Sequence, residues 1–85
     1  MKLAFTPLAW DQYLWWQQND RQKLRQLNRL LLDCLRNGTE GIGTPERLKH
    51  NLEGLWSRRI DQEHRLVYGV EDDQILVYQC RFHYD

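Results

Sequence analysis

The sequence predicts an α+β fold in the order β-α-α-β-β-β, an antiparallel sheet with a helical hairpin packed on one face. Three observations carry this. A Thr6-Pro7 step separates a short apolar run from the first helical pattern. Leucines recur at three- and four-residue steps through the stretch that follows. Alternating apolar runs, divided by polar clusters, fill the last third of the chain.

Lys2-Leu3-Ala4-Phe5 reads as a strand. Thr6 is placed to cap a helix whose first residue is Pro7, where a missing N–H costs nothing. That helix should run to about residue 18 and break at Asn19-Asp20. Asp20 can cap the next helix, in which Leu24, Leu27, Leu31, Cys34 and Leu35 share a face. Asn37-Gly38 stops it. Residues 38–45 hold Gly38, Gly41 and Gly43 without periodicity, so they read as a loop that delivers residues 46–51. Strands follow at 55–60, 65–70 and 75–82, with turns at 61–64 and 71–73. No repeat or low-complexity segment interrupts the pattern.

The 85 residues form a single domain (1–85), and the apolar fraction of 41% argues against disorder. Net charge is zero, so bulk charge does not announce a nucleic-acid binder. Its distribution is uneven: between Arg21 and Arg36 five basic residues face one acid, whereas from Leu66 to Asp85 four acids face only Arg81. Cys34 and Cys80 lack metal spacing and read as small buried hydrophobes in a reducing compartment. His50 and His64 have no zinc-site spacing either, and His64 and Trp56 read as structural. No cofactor is implied. With no leader or membrane-spanning run, the expected location is the cytoplasm.

Strand alternation sorts the side chains. In the last strand Leu76, Tyr78, Cys80 and Phe82 form the more apolar set, expected under the helices. Ile75, Val77, Gln79, Arg81 and His83 then take the open face. In the strand before it, Leu66, Tyr68 and Val70 match the buried set, which places Arg65 with His83. An odd number of residues in the preceding hairpin loop sets Arg59 opposite Arg65; an even number sets Arg58 there.

The run Arg81-Phe82-His83-Tyr84 directly continues a strand, so its histidine should be held rather than frayed. With Glu46, Lys49 and the arginines it makes a base, cations and an acid. That set suits cleavage of RNA by its own 2′-hydroxyl. Glu46 would take the hydroxyl proton. Arg65, with its forked donors, would stabilise charge on phosphorus. His83 would protonate the leaving 5′-oxygen, histidine being the side chain that both holds and releases a proton near neutrality. No metal is required, because the nucleophile belongs to the substrate. Lys49 suits a phosphate contact, and Tyr84 could stack on a base. The plainer readings are a surface carboxylate for Glu46, a cross-strand ion pair for Arg65, and an idle histidine for His83.

The stretch Pro45-Glu46-Arg47-Leu48-Lys49-His50-Asn51-Leu52-Glu53-Gly54-Leu55-Trp56-Ser57-Arg58-Arg59-Ile60, followed by Glu63-His64-Arg65-Leu66-Val67-Tyr68, closely resembles the YoeB family of toxins, part of the RelE/ParE toxin–antitoxin superfamily. Met1-Lys2-Leu3, Trp10-Asp11, Tyr13-Leu14 and Cys80-Arg81-Phe82-His83-Tyr84 are also similar to it; Asp85 stands one residue beyond that pattern. The resemblance implies a RelE-like, microbial-ribonuclease-type fold. It implies an endoribonuclease that cuts mRNA in the A site of the 70S ribosome, with Glu46 as base, Arg65 as phosphate stabiliser and His83 as acid. Lys49, Arg59 and Tyr84 would hold the RNA, which favours Arg59 over Arg58. A YefM-type antitoxin with a disordered C-terminal segment is the implied partner, and toxin homodimers occur in such families. Two other readings stand beside this one: a ParE-like gyrase inhibitor, and a non-catalytic RNA- or protein-binding module.

Overall fold

The computed structural model describes residues 1–83. Strand β1 (Lys2–Phe5) leads into helix α1 (Pro7–Asn19), and α2 (Arg21–Asn37) follows directly. Thr6 and Asp20 act as the expected caps: their side chains accept from the N–H groups of Ala9 and Lys23. Gly38, at φ 63°, ends α2. A two-residue strand β2 (Glu46–Arg47), a 3₁₀ turn (His50–Leu52), β3 (Trp56–Arg59), β4 (Arg65–Glu71) and β5 (Gln74–Gln79) complete the chain. Among the described residues no helix is long and apolar enough to cross a membrane.

The sheet has five strands in the order β1-β5-β4-β3-β2. The α+β class and the helical hairpin on one face are as expected, and two details of the sheet differ. It is mixed rather than wholly antiparallel, because β1 pairs parallel with β5. The loop before residue 46 ends in an additional edge strand, because Glu46 and Arg47 pair with Ser57 and Trp56.

Helix α2 presents Leu27, Leu30, Leu31 and Cys34 to the sheet, and α1 adds Ala9 and Trp16. The sheet answers with Leu66, Tyr68, Ile75, Val77 and Cys80. This corrects the alternation expected for the last strand, since Ile75 and Val77 are fully buried under the helices. The cause is a bulge. Tyr68 pairs with Val77 but Val67 pairs with Gln79, so Tyr78 is an extra residue. Parity reverses there. Ile75 and Val77 point inward before it and Cys80 after it, while Gln79 lies across from Val67 on the far face. The Tyr78 ring lies near Gly69, 3.5 Å from where a β-carbon would stand. Val70, expected inside, is 41% exposed near the end of β4. Burial pushes the Cys34 thiol up to about 11 and that of Cys80 to about 12, so both stay protonated near neutrality.

A charged strand residue is buried on the helix side. Arg58 is fully buried, and all five of its N–H donors are used. Nε donates to the Tyr68 hydroxyl at 3.0 Å. Nη1 donates to the Asp33 carboxylate and, at 3.0 Å, to the Ile42 carbonyl. Nη2 donates to the carbonyls of Gly38 and Glu40 at 2.8 and 2.7 Å. The glycine-rich loop is therefore wrapped around a guanidinium, and this fixes the path by which it enters β2.

Candidate active site

Three residues singled out from the sequence, Glu46, Arg59 and Arg65, lie on the face of the sheet away from the helices. Pairing runs Glu46–Ser57–Val67–Gln79 across β2, β3, β4 and β5, giving one continuous row. Two residues along β3 and β4 lies a second row, in which Arg59 is directly opposite Arg65. The connection 60–64 has an odd number of residues, so parity selects Arg59. Arg58 faces the other way, into the core, which removes it from the candidates.

Strand spacing of about 4.8 Å sets Glu46 about 10 Å from β4, measured across the strands. Glu46 is exposed on the edge strand. Lys49 is exposed just before the 3₁₀ turn, held near the edge by the Leu48 N–H to Leu55 carbonyl bond of 2.9 Å. The two arginines differ. Arg59 is exposed, whereas Arg65 is 9% exposed. The Arg65 Nη1 donates to the carbonyls of Asp61, Gln62 and His64 at 2.7, 3.2 and 3.1 Å. Its side-chain hydrogen bonds to described residues run through that nitrogen. Neither arginine has a carboxylate in ion-pair range among the described residues. Like charges directly opposite in a sheet repel, so the pairing concentrates positive charge at this point of the sheet.

His83 reaches this row by a route that alternation does not describe. Strand β5 ends at Gln79, and the chain then turns sharply, with Phe82 at φ 67°. The Phe82 carbonyl accepts from the Arg65 backbone N–H at 3.0 Å, which brings the following residue, His83, alongside β4. Arg81 does not share the open face, contrary to expectation. Its guanidinium stacks on Trp15 of α1 at 3.4 Å and on Phe82 at 4.3 Å. Phe82, expected inside, is 47% exposed. Tyr84, the remaining candidate, lies outside the described residues, as does Asp85.

Two residues that the sequence left out belong to the surroundings of this site. The Gln79 side chain donates to the carbonyls of Arg81 and Phe82 at 3.2 and 3.4 Å. The His64 Nδ1 accepts from the Phe82 N–H at 2.7 Å. No spacing rule announces either contact, since His64 and Phe82 meet only through tertiary structure. Among the described residues no group of three or more His, Cys, Asp or Glu side chains is placed to hold a metal ion.

The likenesses of the chain run over nearly its full length. Residues 5–84 match the family described as the YoeB-like toxin of bacterial type II toxin–antitoxin system. Toxin YoeB of Synechocystis sp. is 55% identical over 84 residues, covering 99% of this chain and 98% of that protein. Among solved structures, a YoeB/ParE toxin from Agrobacterium tumefaciens superposes with a TM-score of 0.96 at 44% identity, covering 99% of this chain and 100% of that one. The toxin in a YoeB–YefM complex from Staphylococcus aureus superposes with a TM-score of 0.91 at 47% identity, covering 99% and 98%. On this full-length match of sequence and fold, the chain belongs to the YoeB-like toxins of bacterial type II toxin–antitoxin systems.

Proposed function

We propose that this toxin is a ribosome-dependent endoribonuclease that cuts mRNA in the A site. The observation that supports this most is the pair Arg59 and Arg65, facing each other without a counter-charge among the described residues, with Glu46 on one flank and the His83 segment on the other. A phosphodiester seated on the arginines would place its ribose toward the edge strand and its leaving oxygen toward the terminal segment. Glu46 would then accept the 2′-hydroxyl proton, and the oxygen would attack the adjacent phosphorus. Arg65 would hold the charge that develops on the non-bridging oxygens, in a position already fixed by its carbonyl contacts. His83 would give its proton to the departing 5′-oxygen, leaving a cyclic phosphate. Lys49 and Arg59 would bind the backbone on either side, and Tyr84 would hold the RNA as well. The solved YoeB–YefM complex supports a YefM-type antitoxin as the partner, and its C-terminal segment would mask this face.

The test is cleavage of a defined mRNA on purified translating ribosomes. Wild-type protein should cut at the A-site codon, and a 2′-deoxy nucleotide at the cut position should stop it. His83→Gln should slow the chemical step by about 10²-fold or more. Cleavage by His83→Gln at the wild-type rate would refute the acid assignment. Absence of any ribosomal cleavage, together with inhibition of gyrase, would overturn the whole reading.

A further inference from the structure

The residue before His83 is held in a conformation that its own chemistry disfavours. Phe82 is an aromatic residue at φ 67°, in the left-handed region that glycine and asparagine occupy and bulky side chains avoid. Such a backbone persists only where the surroundings determine it from several sides. Here they do. The Phe82 carbonyl takes the Arg65 N–H, and the Gln79 amide bonds the same carbonyl and the one before it. The Phe82 N–H donates at 2.7 Å to the Nδ1 of His64.

His64 is itself held on all sides. Its side chain is 13% exposed. The ring stands edge-on to Trp16, with centroids 4.8 Å apart. Its backbone N–H donates to the Asp61 carboxylate at 2.6 Å, and its carbonyl accepts from Ile60 at 3.0 Å. Trp16, the support beneath the ring, donates from Nε1 to the Cys80 carbonyl at 2.7 Å. One aromatic pair therefore straps the terminal segment at two points, Cys80 and Phe82. Accepting at Nδ1 also fixes the tautomer: the ring is neutral, with its proton on Nε2.

We propose that His64 is a positioning residue, whose neutral Nδ1 holds the Phe82 backbone in its left-handed turn and so sets His83 beside Arg65. This rests on the ribonuclease reading for its consequence in rate, while the anchor itself can be measured without it. A second feature fits the assignment. His64 and Arg65 are neighbours, and both bond Phe82, one at its N–H and one at its carbonyl. The same short stretch thus carries the phosphate-binding side chain and the clamp on the acid-bearing segment.

The test compares three substitutions in the full chain. His64→Leu fills the space against Trp16 and offers no acceptor. His64→Asn places its Oδ1 where Nδ1 stood. His64→Gln carries its polar atoms one bond too far. Two readouts are taken: hydrogen exchange of the Phe82 and His83 amides, and single-turnover cleavage on translating ribosomes. In His64→Leu and His64→Gln the Phe82 amide should lose protection, and kcat should fall by about 10²-fold with little change in KM. In His64→Asn both protection and most of the rate should return. Wild-type protection and rate in His64→Leu would overturn the proposal, and so would failure of His64→Asn to recover either. If the wild-type protein cuts nothing on translating ribosomes, the ribonuclease reading falls, and the amide protection alone decides whether His64 is the anchor.

Discussion

At the scale of single residues, the two adjacent arginines of β3 show how one residue type serves two purposes. Arg58 is buried with every donor satisfied, and Arg59 is exposed beside Arg65. Breaking the pair from one side is destabilising, because the charge that remains on the buried guanidinium is stranded. Asp33 is the acidic half of that pair. The hydrogen bond from Arg58 holds its carboxyl below the usual carboxylate range, with help from the Ile42 N–H and Asn37. A lowered folded-state pKa stabilises the fold fully above the ordinary carboxylate value, and that contribution is lost as the pH falls through the lowered one. Asp33→Asn should therefore be less stable than wild type at neutral pH. The gap in urea midpoint should close as the pH falls below the ordinary carboxylate value of about 4. A constant gap across that range would show that the Asp33 charge contributes nothing. Read as residues alone, Arg58 and Arg59 are equivalent cations; the family resemblance favours Arg59, and the loop parity selects it only once the strand ends are known.

At the scale of elements, the glycine loop and the bulge shape the site. Gly41 sits at φ 119°, and a β-carbon there would stand 1.9 Å from the Asp33 Oδ2. Gly41→Ala should thus combine left-handed strain with displacement of the carboxylate from Arg58. The expected loss is about 2–4 kcal/mol by denaturant titration, larger than backbone strain alone gives. A loss below about 1 kcal/mol would mean that the loop yields without disturbing the buried guanidinium. The helices and their caps were legible from the sequence because Thr6, Pro7, Asp20 and Gly38 act locally. Strands β3, β4 and β5 were legible from their apolar runs. The two-residue strand β2 was not, since two residues carry no periodicity. Nor was the bulge, because Leu76, Tyr78 and Cys80 form an unbroken apolar alternation that Tyr78 interrupts only in space. The expectation that Gln79 faces outward nevertheless agrees with the structure, because the notional shift before the bulge is cancelled after it.

At the scale of the whole molecule, β5 is the element on which the rest depends. It lies between β1 and β4, and Val77 pairs with Phe5 on one side and Tyr68 on the other. Val77 is fully buried among Ile75, Leu66 and the α2 leucines. Val77→Asp should abolish cooperative unfolding rather than shift it, because an unpaired charge there separates the sheet from both neighbours and from the helices. A sigmoidal thermal transition by circular dichroism in that variant would contradict this. The parallel pairing of β1 with β5 was invisible to local reading, since nothing in Lys2–Phe5 names its partner. That pairing also sets an order in time. During synthesis β1 is the first of the described strands to emerge and its partner β5 follows the others, so the sheet cannot close before β5 is available. The turn that carries His83 comes later still. The row that runs from Glu46 to Gln79 is therefore complete only once β5 has been made and has folded back onto β4.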